Sequence, residues 1–234
     1  MNEKDILIQA ISAVPEQGGA ELPQPLSCEI SAAKLVCILG QQIDTLNACM
    51  EMLAGIKEPY SGSVNHADNL SDSKLDYSAI GFIAHDSTLL SVLNGVNNVV
   101  APALYHQIAA ENEIQEDADI LLAEFEYEAD HTLLPAFMHT LQKRHLLVVR
   151  AIMLKPRVLF IQNPFMGLDR EQVRIFGKYL ARLVKDKNIT VITSNVNLDF
   201  VQNYADQVIY SSSAAIQFFK QRDDFFNHIQ KTTD

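Results

Sequence analysis

Lys34-Leu-Val-Cys-Ile-Leu-Gly40-Gln-Gln-Ile-Asp-Thr-Leu-Asn-Ala-Cys-Met-Glu-Met-Leu-Ala-Gly55 reads as a buried strand, a short loop and a helix. Leu35 to Leu39 is a five-residue apolar run with no polar alternation, the pattern of a parallel strand covered on both faces. Gly40 punctuates it. From Leu46 to Ala54 the apolar residues return at helical spacing, and Gly55 closes the segment.

A strand that feeds a helix through a glycine loop is the frame in which the pattern G-x-x-x-x-G-K-[ST] cradles phosphate. Laid on that pattern, Gly40 takes the first glycine position. Thr45 stands at the second glycine, Leu46 at the lysine and Asn47 at the hydroxyl. The frame of a nucleotide site is present without its chemistry.

The rest of the chain fits one large α/β domain. Its 234 residues suffice for a sizeable core, and mean hydropathy is close to zero. No apolar run is long enough to span a bilayer. Met1-Asn-Glu-Lys-Asp lacks the basic start and apolar centre of a secretory signal, so none is expected. Three cysteines, Cys28, Cys37 and Cys49, are an odd number, two of them in apolar elements; they read as buried thiols, with no metal site. A net charge of −11 argues against nucleic acid as a partner.

Short apolar strands alternate with amphipathic helices along most of the chain. Strands are expected at 5–12, 26–30, 34–39, 79–84, 158–161, 190–193 and 207–210, with a turn at 14–19 and a surface loop at 65–77. Helices are expected at 95–108, bent or interrupted by Pro102, at 112–127 and at 137–154, the last stopped by Lys155-Pro156. Asp169 and Gln172 have the spacing of a capping box for a helix burying Val173, Phe176, Leu180 and Leu183. The tail from Phe218 to Ile229 has an apolar stripe and a mixed charged face. This order predicts a mostly parallel sheet covered by helices. A helical block at 94–146 is inserted into a core made of 1–93 and 147–234.

These landmarks resemble the ATPase subunit of ABC transporters over almost the whole chain. Gly40 to Gly55 keeps the family's spacing, including the following Glu-Pro-Tyr-Ser-Gly-Ser turn. Ile80 to Leu90 resembles the Q-loop segment and Asn98 to Leu104 the helix after it. Arg150 to Phe165 resembles the end of the signature helix and the Walker B strand. Met166-Gly-Leu-Asp169 resembles the D-loop, and Tyr204-Ala-Asp-Gln-Val the last switch-to-strand segment. The resemblance implies a RecA-like α/β core with an N-terminal antiparallel β part and a helical subdomain.

The functional positions are nearly all changed. Leu46 cannot neutralise terminal phosphates, Asn47 replaces the Mg²⁺-binding hydroxyl, and Asp44 adds negative charge where phosphate would lie. β-Branched Ile43 and Thr45 resist the positive φ that a glycine loop uses. Asp44 or Thr45 is expected to N-cap a helix beginning near Leu46. His85 takes the place of the Q-loop glutamine, and Met138-His-Thr-Leu-Gln142 keeps only the glutamine of the signature. Gln162 and Asn163 replace the Walker B carboxylates, so neither a metal ligand nor a general base remains there. Val196 aligns with the switch histidine, and no aromatic near 14–20 could stack adenine. Asp169 of the D-loop is intact.

The resemblance therefore implies a pseudo-ATPase without catalytic residues, metal or nucleotide cofactor. It would bind a transmembrane permease on the cytoplasmic face of the membrane. The permease would dock near 85–103, with His85, Leu89, Leu90 and Val92 as contacts. A homodimer, or a heterodimer with a catalytic sister ATPase, fits equally. Two other readings stand beside it: an atypical subunit that still binds ATP and Mg²⁺, and a soluble scaffold with no membrane partner.

Overall fold

The computed structural model describes residues 6–16, 24–67, 70, 79–125, 130–194, 196–213 and 215–233. Two sheets carry the fold. The smaller is antiparallel, in the order β2 (Leu26–Ser31), β1 (Ile6–Val14), β4 (Ser61–His66). The larger has six strands in the order β5 (Ile80–Ile83), β6 (Val158–Ile161), β7 (Thr190–Ser194), β3 (Leu35–Gly40), β8 (Gln207–Ser211), β9 (Ile216–Phe219). Its first five strands are parallel and β9 closes the edge antiparallel to β8.

The continuous apolar runs of the parallel strands divide by period two between two cores. Val36 and Ile38 of β3, Val158 and Phe160 of β6, Ile192 and Ile209 face the small sheet and helix α1 (Ile43–Leu53). Leu35, Cys37, Leu39, Leu159, Ile161, Val191 and Val208 face the opposite way. There they meet α4 (Thr140–Ile152) and α5 (Arg170–Lys187). Residues of α2 (Gly95–Tyr105) and α3 (Glu111–Ala123) join the same apolar cluster, so the helical block and the sheet share a core. The chain finishes with α6 (Leu198–Tyr204) and α7 (Arg222–Thr233).

Several local expectations hold. The Asp169–Gln172 capping box is formed in both directions, at 2.9 and 3.1 Å, and starts α5. That helix stops at Asn188, whose φ of 55° is the left-handed C-terminal conformation that asparagine tolerates. Helix α4 ends at Ile152 with Met153 as its C-cap, two residues before the expected end at 154, and Lys155 follows it with φ 55°. The three thiols are free and buried, and burial pushes each pKa up to about 12.

Others need correction. Asn65 and His66 belong to β4, which pairs with β1, and are no surface loop; residues 68–69 and 71–78 lie outside the described set, as do 17–19 of the proposed turn. Polar Ser61–His66 forms a strand because its edge position needs backbone pairing more than apolar side chains. Pro102 lies inside α2 without ending it. Phe218 and Phe219 are on β9, so the tail's stripe is divided between a strand and α7. In β5, an edge strand, only Ile83 is buried. Residues 126–127 of the expected third helix lie outside the description.

Candidate functional site

The parallel strands all end at the same edge of the large sheet, where α/β proteins hold ligands. Gly40 ends β3 there, Ile83 ends β5, Ile161 ends β6 and Ser194 ends β7. Gly40 is required by crowding. A Cβ on it would fall 2.6 Å from the Ser211 carbonyl oxygen and 3.0 Å from Leu46 Cδ2.

Only Gln41 and Gln42 separate β3 from α1. The helix begins at Ile43, with Gln42 as N-cap residue, and the Leu46 N–H already bonds the Gln42 carbonyl at 3.2 Å. This corrects the expected cap: Asp44 and Thr45 lie inside the first turn. Ile43, Asp44 and Thr45 are free to be helical because no glycine-like conformation is imposed on them. Thr45 Oγ1 donates to Gln42 Oε1 at 3.1 Å, tying that turn to its entry. Asp44 is exposed in the first turn, where its carboxylate complements the positive end of the helix dipole. Leu46, at the lysine position, is fully buried and turned into the core that Gly40 borders. Asn47 is half-buried, and its Oδ1 finds no protein partner among the described residues.

At the end of β6, Gln162 and Asn163 are 1% and 5% exposed. The Gln162 N–H donates to the Ile83 carbonyl at 2.9 Å. Its Oε1 accepts the His85 N–H at 3.2 Å and lies 3.3 Å from His85 Nδ1, a contact that fits the Nδ1-protonated ring. Sequence reasoning did not join these two residues; their pairing follows from the parallel register of β5 and β6. Asn163 has φ 49°, a conformation that asparagine reaches more readily than most residues. Gln162 Nε2, Asn163 Oδ1 and the Oγ of fully buried Ser194 are without protein partners among the described residues. Ser194 was missed by sequence reading because an apolar strand carried it.

Val196 is 9% exposed and belongs to the core; its neighbour Asn195 lies outside the described residues. Asp169 serves α5 as its cap. Gln142, the surviving signature residue, is buried and donates to the Asp130 carbonyl at 2.7 Å. His85 is exposed. Leu89 is 8% exposed and packs into the core, so of the proposed docking contacts it alone is unavailable. Leu90 and Val92 are 53% and 84% exposed. Asn98, another residue whose role the sequence reading passed over, lies fully buried behind them, while its neighbour Asn97 is exposed. No group of three or more metal-ligating side chains occurs among the described residues.

No protein-family model matches the chain. It is similar to the sulfate/thiosulfate import ATP-binding protein CysA of Pseudomonas putida, 22% identical over 196 residues, which cover 82% of this chain and 60% of the relative. It is also similar to the lipoprotein-releasing system ATP-binding protein LolD 1 of Rhodopirellula baltica, 26% identical over 72% of this chain and 76% of that one. The chain spans only 57% to 60% of the length of the CysA relatives from three bacteria. Among solved structures, cbiO1 from Clostridium perfringens superimposes with a TM-score of 0.82 at 21% identity, covering 95% of this chain and 91% of the other. A dimeric ATP-binding cassette bound to ADP and Pi gives 0.75 at 17% identity, covering 92% and 98%. The fold is that of an ABC-transporter ATP-binding cassette, and the sequence relatives that the chain resembles, at 22% and 26% identity, are themselves ATP-binding proteins of transport systems.

Proposed function

We propose that this chain is a non-catalytic subunit of an ABC transporter, which binds a membrane permease without hydrolysing ATP. The observation that carries the reading is the start of α1 at Ile43 with Leu46 buried beneath it. A phosphate cradle needs several non-helical residues whose N–H groups converge on the anion, and a cation beside them. Here the strand reaches the helix in two residues and the cation position is a core leucine. Gln162 and Asn163 offer neutral amides where a metal ligand and a base are needed. Each loss removes charge stabilisation from phosphoryl transfer, and the losses fall on groups that act as a unit.

In this reading residues 94–146 are a helical subdomain set into a core of 1–93 and 147–234. The chain sits peripherally on the cytoplasmic face of the membrane. No helix among the described residues is long and apolar enough to cross it. Leu90 and Val92 are the docking anchors, with His85 at their edge. A second cassette, either another copy or a catalytic sister, completes the complex.

The test has two arms. Purified chain is assayed for Mg²⁺-dependent phosphate release, with Asn163→Ala as control; release that the substitution abolishes would overturn the non-catalytic assignment. Affinity purification from membranes is then run with the native chain and with a folded Leu90→Asp variant. Recovery of a transmembrane permease with the native chain, reduced by Leu90→Asp, is expected. No permease with either chain rejects the transporter-subunit reading.

A further inference from the structure

Helix α3 carries a stripe that none of the strand-end groups explains. Asp117, Ile120, Leu121 and Glu124 recur at the three- and four-residue intervals that share one face of a helix, with Glu124 as the C-cap. The acids at the two ends of the stripe each hold a lysine of the core. Lys155, in the turn between α4 and β6, stands 3.1 Å from Asp117. Lys187, the last residue of α5, stands 2.8 Å from Glu124. Beside both ion pairs lies a cavity of about 290 Å³, reached by Asp117, Lys155 and Lys187. Its apolar wall is Ile120, Leu121, Ile152, Pro156 and Ile189. Pro156 and Ile189 stand just before β6 and β7, so the cavity lies at the opposite edge of the sheet from Gly40, Gln162 and Ser194.

The chemistry of the wall selects an occupant. Ile152 and Ile189 are 4% and 6% exposed and form the floor, while Ile120, 58% exposed, stands at the rim. The charged groups on the wall are two ammonium groups and one carboxylate, because Glu124 lines a separate cavity of about 90 Å³ and not this one. Lys187 donates to Glu124 from one side, and an ammonium has two further N–H donors. On a chain of net charge −11 this is a local cationic excess. Seven residues of α3 separate the two acids, about 10 Å along the helix axis. The site is therefore an apolar strip of that length with an ammonium group at each end. A slender molecule with an anionic head and an apolar body meets both features. Its head forms a charge-assisted hydrogen bond, and its body removes the strip from water.

We propose that this cavity binds a small free carboxylate with an unbranched, medium-length apolar chain, its head held by Lys187 and its body lying along Ile120, Leu121, Ile152 and Ile189. Helices α3 and α4 belong to the helical block, whereas Lys187 and Ile189 belong to the core, so the bound molecule braces one against the other. The site uses none of the groups on which the transporter-subunit reading rests and stands or falls separately from it.

Calorimetric titration of the native chain with octanoate tests the site. A single octanoate binds per chain, with a Kd of about 1 mM or tighter. Octanol and octylammonium, which keep the body and change the head, bind at least about tenfold more weakly. Ile120→Glu puts a carboxylate on the wall at a position exposed enough to leave the fold intact, and it weakens octanoate by at least about tenfold. Ile56→Glu, at a site 54% exposed and away from the cavity, leaves octanoate binding unchanged. Lys187→Met removes the partner of the head while keeping an apolar stem, and weakens octanoate as Ile120→Glu does. Hydrogen exchange locates the molecule: octanoate slows the amides of α3 in the native chain and not in Ile120→Glu. Absence of saturable octanoate binding overturns the proposal. Octylammonium that binds as tightly as octanoate overturns the assigned head group. Octanoate binding unchanged in Ile120→Glu overturns the assigned cavity. If Lys187→Met fails to fold, Ile120→Glu and the comparison of head groups decide the matter.

Discussion

His145 gives this protein a calculable sensitivity to acid. The residue lies in α4, is fully buried, and stacks on Phe125 with ring centroids 3.8 Å apart. Tyr179 meets it edge-on at 5.1 Å and His131 stands 5.9 Å away. Neither ring nitrogen has a protein partner among the described residues. Burial, with a smaller contribution from His131, lowers its pKa from the ordinary 6.5 to about 3. The charged neighbours do not offset this: Asp130 acts on His131, and Glu124 and Arg182 act on Tyr179. Between those two pKa values the unfolded chain binds a proton that the folded chain refuses. His145 therefore costs no stability above pH 6.5, and stability falls as pH drops below that value until the folded pKa is reached. The slope is about 1.4 kcal/mol per pH unit, so this residue alone removes about 2 kcal/mol between pH 7.5 and pH 5. That is a large share of a typical net stability. His131, whose pKa burial also lowers, adds in the same direction. Urea unfolding of the native chain and of His145→Phe at pH 7.5, 6 and 5 measures the effect. The variant should lose about 2 kcal/mol less than the native chain over that range. Equal losses in both proteins would refute the reasoning, because the buried imidazole would then not be the group that resists the proton.

Two further outcomes follow from the site. Leu46→Lys supplies the missing cation but forces an ammonium into a closed apolar site; it should destabilise the chain by about 3 kcal/mol or more without producing ATP binding, as read by calorimetry and thermal melting. Asp169→Ala removes one half of the capping box on α5 and should cost about 1 kcal/mol in chemical denaturation, with Asp169→Asn recovering most of it.

Much of the fold was legible in the sequence because its signals are local. The strand runs at 35–39 and 158–161 are too apolar for any half-exposed element, and each is a buried parallel strand. Asp169 and Gln172 meet across three residues, so their capping box needs nothing beyond the helix itself. The elements that escaped notice are those whose reason lies elsewhere in the chain. Strand β4 is polar and exists because β1 needs a second partner. β9 looked like part of a helical stripe because Phe218 and Phe219 are separated from the Phe225–Phe226 pair by roughly two turns. The start of α1 was placed three residues late because the P-loop frame was carried over with its loop, whereas Ile43, Asp44 and Thr45 prefer the helix once no glycine holds them out.

For the candidate site, residue types alone say that Leu46 carries no cation and that Gln162 and Asn163 carry no carboxylate. Only the tertiary structure decided what those residues do instead. Leu46 fills a core, Gln162 ties His85 to the sheet, and Asn98 fixes a loop eight residues upstream of it. It also separated Leu89, which packs inward, from Leu90 and Val92, which face solvent, although all three are apolar residues of the same short stretch. The physical reason is that charge and functional group belong to a residue wherever it stands. Burial, hydrogen-bond partner and direction are properties of the surroundings, and here those surroundings come from β6, α2 and α4, brought together only by the folded sheet and its helices.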